Sequence, residues 1–119
     1  MSHRGDGNEL LFSYGTLQLR EVQLATFGRS VEGRPDALAG YLMTMIRIHE
    51  EGFSPPEGEL HRIIHFTGVD SDRVPGTLLT VTMADIEQAD AYEPPGYKRA
   101  LVETVSGVKA WAYVAATPQ

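Results

Sequence analysis

Apolar residues along this chain come in short runs separated by glycine, proline and small polar groups, a spacing that predicts many strands and few helices. The first run, Leu10 to Tyr14, reads as a buried strand that stops at Gly15. Leu19 to Gly28 spreads Leu19, Val22, Leu24, Ala25 and Phe27 among polar residues, which predicts a short helix ending at Gly28. Arg29 to Asp36, with Ser30, Gly33 and Pro35, is turn-rich. Ala37 to Ile48 is strongly apolar and predicts one long strand bent at Gly40.

Glu50 to Glu59 contains two prolines and two glycines and predicts a loop. A short strand over Leu60 to Thr67 follows, then a turn over Gly68 to Arg73. Val74-Pro75-Gly76 opens a strand over Thr77 to Thr82, where Thr77, Thr80, Val81 and Thr82 are β-branched. The clearest helix follows Thr82 or Met83 and runs from Ala84 to Glu93. Asp85 and Glu87 set negative charge near its positive end, and Pro94-Pro95-Gly96 stops it. Tyr97 to Val105 and Val108 to Ala116 form a hairpin joined at Ser106-Gly107. The expectation is a single domain over 9–119, preceded by a loose polar tail over 1–8.

Composition narrows the function classes. A length of 119 residues with 42 % hydrophobic content is enough for one continuous core. The formal charge of −6 and the scattered basic residues argue against a nucleic-acid binder, which needs a concentrated basic face. No apolar run reaches the length of a membrane span, and the amino terminus lacks the apolar core of a signal peptide. A cytoplasmic location is therefore expected. Cysteine is absent, which excludes disulfides, thiolate metal sites and cysteine nucleophiles.

Two features carry candidate chemistry. Glycine lets another backbone or a ligand come close, and a tight turn at Gly15 exposes the N–H groups of Gly15, Thr16 and Leu17 at a strand end. Converging N–H groups suit an anion such as a carboxylate, although an ordinary strand-to-loop turn has the same sequence. Glu93 shares a helix face with Ile86 and Ala89, the face that turns inward. A carboxylate there is desolvated and its pKa rises toward the range useful for proton transfer. The alternative is that frayed geometry beside Pro94 swings it into solvent.

Other chemistries find little support. His61 and His65 are four apart but fall in a strand-like segment without an HExxH pattern, so no metal is expected. Ser13 lies in no G-x-S-x-G elbow, and the Gly15 loop lacks the lysine of a phosphate loop. Trp111 and Tyr113 alternate with Ala112 on a strand and read as core or pocket-wall aromatics.

Several pieces together resemble one family. Tyr14-Gly15-Thr16-Leu17 after a first strand resembles the Tyr-Gly-(Ser/Thr)-Leu signature of the gamma-glutamylcyclotransferase-like superfamily. Val74-Pro75-Gly76-Thr77-Leu78 resembles its Val-x-Gly-x-Leu strand opening. Ala91-Tyr92-Glu93 followed by Tyr97-Lys98-Arg99 resembles its helix-ending glutamate and Tyr-x-Arg strand. The run from Gly107 to Val114 resembles its closing Ala-Trp-x-Tyr-Val strand. Any one motif is weak; four in order over Leu10 to Val114 are specific.

The resemblance implies an α+β fold, a small mixed β-barrel with a few helices packed outside. It implies conversion of a gamma-glutamyl amine or gamma-glutamyl amino acid to 5-oxoproline, with Glu93 as general acid and base. The Tyr14–Leu17 loop would hold the glutamyl carboxylate, and Tyr97 and Tyr113 match aromatic positions near the pocket. No cofactor or metal is implied, and the expected partner is a small gamma-glutamyl substrate. Two departures stand out: Pro94-Pro95 follows Glu93 where many members have glycine, and the chain is short. A binding module that keeps the pocket without turnover is the competing expectation, and the oligomeric state and the particular gamma-glutamyl compound stay open.

Overall fold

Leu11 and Phe12 are neighbours in sequence and so point to opposite faces of a strand. Both are nevertheless shut off from water, at 0 % and 1 % exposure. The strand that carries them, β1 (Glu9–Ser13), is accordingly central. The structure, a computed structural model, describes residues 9–48, 59–93 and 96–116. The expected tail over 1–8, residues 50–58 of the loop expected over Glu50 to Glu59, and the proline pair 94–95 lie outside the described residues; Glu59 itself begins a strand.

After β1 come a 3-10 turn (Thr16–Gln18), α1 (Arg20–Phe27), β2 (Gly33–Ala39) and β3 (Tyr41–Ile48). They are followed by β4 (Glu59–Phe66), β5 (Arg73–Val81), α2 (Met83–Tyr92), β6 (Tyr97–Glu103) and β7 (Lys109–Ala115). Five strands form one sheet in the order β2-β5-β1-β7-β6, and β3 and β4 pair as a separate hairpin. β1 runs antiparallel to β5, with Ser13 opposite Thr77, and parallel to β7, with Leu11 opposite Trp111.

The two sheet edges approach each other. Val105, just past β6, donates its N–H to the Ala37 carbonyl of β2 at 2.8 Å. Ser106 Oγ donates to Asp36 Oδ2 at 2.6 Å. The sheet thus curls back on itself, while the β3–β4 hairpin packs against it through β5 and β7. The architecture is the expected α+β fold, barrel-like but without a hydrogen-bonded ladder running all the way round the described strands. Inside the curl, Phe12 packs with Leu38, Ile64, Val74 and Leu78. On the outer face, Leu11 packs with Leu79, Val81 and the α2 residues Ile86 and Ala89. Each such fully buried side chain contributes roughly 1.5–3 kcal/mol.

Local chemistry sets the element ends. Thr82 Oγ1 accepts the Asp85 N–H at 3.0 Å while Asp85 Oδ2 accepts the Thr82 N–H at 2.9 Å, a reciprocal cap that starts α2. Arg29 adds two more bonds to the same carboxylate, at 3.0 and 2.6 Å. Burial alone would raise the Asp85 pKa, but Arg29 and the Thr82 bonds hold it below the usual carboxylate range. Gly28, at φ 81°, ends α1 as expected.

Two expectations need correction. The long strand over Ala37 to Ile48 is two strands, because Gly40 takes φ 86° and its carbonyl accepts the N–H groups of Thr67 and Gly68. The segment expected as turns over Arg29 to Asp36 enters β2 already at Gly33. Pro35 is tolerated there because β2 is an edge strand, with no partner required on its outer side.

Gly76 couples this framework to the end of β1. A Cβ there would stand 2.4 Å from the Ser13 carbonyl oxygen and 2.7 Å from Phe12 Cζ. Gly76→Ala therefore has to displace the end of β1 and is expected to cost about 1–3 kcal/mol, the usual scale of overpacking. The check is the denaturant midpoint at unchanged slope. A parental midpoint would mean that β1 and β5 can separate there freely.

Candidate active site

The chain leaves β1 at Ser13 and is pinned at once. Tyr14 is buried, and its hydroxyl donates to the Tyr113 carbonyl on β7 at 2.6 Å. Gly15 follows at φ −125°, not in the left-handed region, and a Cβ there would meet nothing within 4 Å. What glycine provides here is open space.

Two glutamines hold the turn. The Gly15 carbonyl accepts both the Gln18 N–H at 3.2 Å and Gln18 Nε2 at 3.1 Å. Thr77 Oγ1 on β5 donates to Gln18 Oε1 at 2.8 Å. Gln23, buried on α1, donates to the Leu17 carbonyl at 2.9 Å and accepts the Val31 N–H at 3.0 Å. The Gly15 and Leu17 carbonyls are thus occupied; the Gly15 N–H donates to Ser13 Oγ at 3.4 Å, and the leading N–H groups of any helical turn have no partner within it.

Glu93 caps the other end of the site. Its N–H still donates to the Ala89 carbonyl at 3.1 Å, but ψ is already 135°, so it lies one residue past α2 rather than on the helix. Ile86 and Ala89 are fully buried and Glu93 is half-buried. Burial, then the negative charge of Asp90, pushes its carboxyl up to about 7. The neighbouring Tyr92 hydroxyl bonds Thr16 Oγ1 at 3.0 Å and so ties the end of α2 to the Gly15 turn.

Three phenols surround this carboxylate. The Tyr97 hydroxyl donates to the Arg62 carbonyl at 2.5 Å and is pushed up to about 12 by burial and by Glu93. Burial also drives the Tyr14 and Tyr113 hydroxyls well above the ordinary phenol range. Tyr113 donates to Asp90 Oδ1 at 2.7 Å. Arg99 Nε donates to the same oxygen at 3.0 Å, and its guanidinium lies 4.4 Å from the Trp111 ring centre.

These parts surround a cavity of about 810 Å³. One wall is the turn with Tyr14, Gly15, Thr16 and Leu17, and another is Glu93 with Tyr97 and Tyr113. Met45, Leu60 and Arg62 of the β3–β4 hairpin form a third. All seven residues selected from the sequence border this one space, whose size falls within the roughly 300–1,000 Å³ of small-molecule sites. Trp111 instead sits under Arg99 and donates to Glu9 Oε1 at 3.1 Å. His65 Nε2 is engaged with Thr44 Oγ1 at 2.8 Å. No group of three or more metal-ligating side chains occurs among the described residues.

Fold and site define a class: a small α+β opened barrel whose pocket sets a half-desolvated carboxylate near a strand-end turn. The family model described as gamma-glutamyl cyclotransferase, AIG2-like, matches residues 11–119. The chain belongs to this family. No curated protein matches the sequence at a significant level.

Among solved structures, one from Arabidopsis thaliana is 25 % identical with a TM-score of 0.67, over 96 % of this chain and 66 % of that one. A gamma-glutamyl cyclotransferase is 16 % identical with a TM-score of 0.66, over 93 % and 68 %. A yeast gamma-glutamyl cyclotransferase specific to glutathione is 10 % identical with a TM-score of 0.71, over 90 % and 68 %. The latter two likenesses concern the fold alone. The chain spans about two thirds of the length of these structures.

Glu93 can be followed without any substrate. Its side-chain carboxyl carbon, observed by NMR, is expected to titrate with a midpoint near 7. Asp90→Asn removes the nearby negative charge and should lower that midpoint while leaving the burial contribution in place. A midpoint in the ordinary glutamate range in the parent protein would place Glu93 in bulk water.

Proposed function

We propose that this chain is a cyclotransferase that converts a gamma-glutamyl amine or gamma-glutamyl amino acid to 5-oxoproline, releasing the amine. The observation that carries this reading is that Glu93, held half out of water, and the Tyr14–Leu17 turn border the same cavity. The turn offers N–H groups to the glutamyl α-carboxylate. Its Gly15 and Leu17 carbonyls already accept hydrogen bonds from Gln18 and Gln23.

The reaction is an intramolecular acyl transfer. The α-ammonium of the bound glutamyl group gives a proton to the Glu93 carboxylate, and the freed amine nitrogen attacks the γ-carbonyl carbon. The new C–N bond closes a five-membered ring and gives a tetrahedral intermediate. Glu93 then returns the proton to the departing nitrogen as the original C–N bond breaks and the oxyanion re-forms the carbonyl, while the ring nitrogen gives up its surplus proton to solvent. One carboxylate poised near neutrality serves both transfers. Folding the substrate into a ring-like pose supplies much of the remaining acceleration. The tyrosines stay protonated and bonded to the framework, and so serve as walls.

Glu93→Gln separates chemistry from shape. Turnover is expected to fall by on the order of 10²-fold or more, with binding of a gamma-glutamyl compound retained. In the parent, kcat/KM should fall as pH drops below about 7, where Glu93 takes up its proton. The stability sign follows from the same shift. A raised folded-state pKa favours the fold most below the unfolded value, and that advantage disappears as pH rises through about 7. At pH 8 the variant's Tm should therefore match or exceed the parent's. A folded variant with parental turnover would remove Glu93 from the mechanism.

Gly15→Val tests the carboxylate end. A Cβ has free space there, so the fold should survive while added bulk at the turn weakens binding of a small carboxylate such as 5-oxoproline. Unchanged affinity by calorimetry would reject the turn as the anion site. Ligand binding by the parent without any release of 5-oxoproline would instead assign a non-catalytic carboxylate-binding module.

A further inference from the structure

We propose that Arg62 anchors a carboxylate on the leaving group, which makes gamma-glutamyl amino acids, rather than gamma-glutamyl amines, the preferred substrates. The inference rests on the cyclotransferase reading and extends it to the half of the substrate that Glu93 and the turn do not hold.

Strand geometry sets where Arg62 stands. Alternate residues of a strand share a face, and Ile64 of β4 is completely buried in the interior cluster with Phe12 and Leu78. By alternation Leu60 and Arg62 share the face of Ile64, as does Met45, the cross-strand partner of Arg62, and all three stand exposed to solvent. All three border the cavity. The backbone at Arg62 is also fixed relative to the chemistry, because its carbonyl accepts the Tyr97 hydroxyl at 2.5 Å. Tyr97 in turn lies close enough to Glu93 to feel its charge.

Charge supplies the second argument. Among the residues bordering the cavity, Arg62 is the one arginine or lysine. Asp85 is bridged to Arg29 and Asp90 to Arg99, so neither of these carboxylates neutralises Arg62. A gamma-glutamyl amino acid brings two carboxylates into a protein of net charge −6, next to Glu93. The turn provides for one of them; the second requires a cation on the opposite wall. The planar fork of an arginine fits a carboxylate through two parallel hydrogen bonds. A neutral alkylamine leaving group would leave this fork without a partner, and a polyamine would set like charge against it.

The test uses a pair of substrates that differ by one carboxylate: gamma-glutamyl-L-alanine and gamma-glutamylethylamide. The parent is expected to prefer the alanine compound in kcat/KM by on the order of tenfold to a hundredfold, the scale of a charge-assisted hydrogen-bonded pair. In Arg62→Gln that ratio should close to about one, through a fall in the alanine reaction. Arg62→Lys, which keeps the charge but not the fork, should lie between.

An equal fall for both compounds would show that Arg62 serves the glutamyl end or the fold, and would overturn the proposal. So would a ratio that does not change. If the parent releases 5-oxoproline from neither compound, the cyclotransferase reading fails. Calorimetric binding of the same two compounds then decides Arg62 separately: tighter binding of the alanine compound, lost in Arg62→Gln, supports the anchor, whereas equal or absent binding rejects it.

Discussion

β1 is hydrogen-bonded along both edges and buried on both faces, and the geometry of the site is referred to it. Leu11 faces the helices and Phe12 the interior, so a shift of one residue would exchange the two layers and strand both side chains in the wrong cluster. Since neither edge is free, the strand end at Ser13 is fixed relative to β5 and to β7. The Tyr14 hydroxyl then reaches across to the Tyr113 carbonyl and carries that fixed register into the turn. α2 is placed by the same strand, because Ile86 and Ala89 pack in the layer of Leu11. The turn and Glu93 are thus two ends of elements that share one reference, and the Tyr92–Thr16 bond closes the triangle directly.

This rigidity gives two carboxylates three residues apart different surroundings. Asp90 receives the Tyr113 hydroxyl and the Arg99 guanidinium, so its charge is matched where it stands. Glu93 faces phenols whose hydrogens are spent elsewhere: Tyr14 on the Tyr113 carbonyl, Tyr97 on the Arg62 carbonyl and Tyr113 on Asp90. It is left with partial burial and the negative charge of Asp90, and both favour its protonated form. Burial of this kind raises a carboxyl toward the neutral range.

How much of this was legible beforehand follows from the kind of signal each residue carries. The apolar runs exposed β1, the closing hairpin and α2, because continuous burial and helical spacing are properties of neighbours in sequence. The inward position of Glu93 followed from its spacing to Ile86 and Ala89, although the residue sits just beyond the helix. The split at Gly40 was harder, since a bent strand and two strands have the same apolar pattern; a positive φ and a pair of N–H groups from Thr67 and Gly68 decide it. β2 was shortened because Pro35 reads as a turn until one knows that its strand lies on an edge. Gln18 and Gln23 gave no signal at all. A helical glutamine reads as surface, and only long-range contacts with Thr77, Leu17 and Val31 reveal a polar group holding a backbone turn. Arg62 and Asp90 were likewise invisible, because their significance lies wholly in what the fold brings opposite them.

The two parts of the cavity wall are built on different terms. Glu93, the turn and Tyr113 belong to the five-stranded sheet and its helices, where any displacement is transmitted to β1. Met45, Leu60 and Arg62 belong to a hairpin whose two strands pair with each other and not with the main sheet, from Tyr41 opposite Phe66 to Ile48 opposite Glu59. Its side chains can therefore change without breaking a ladder of the main sheet. A bond from the Tyr97 hydroxyl to the Arg62 carbonyl helps to hold this second wall, and it acts on backbone rather than side chain. The residue at position 62 is then free to differ in chemistry while its distance from Glu93 stays set. One wall is thus built into the main sheet, and the other is carried by a separate two-stranded hairpin.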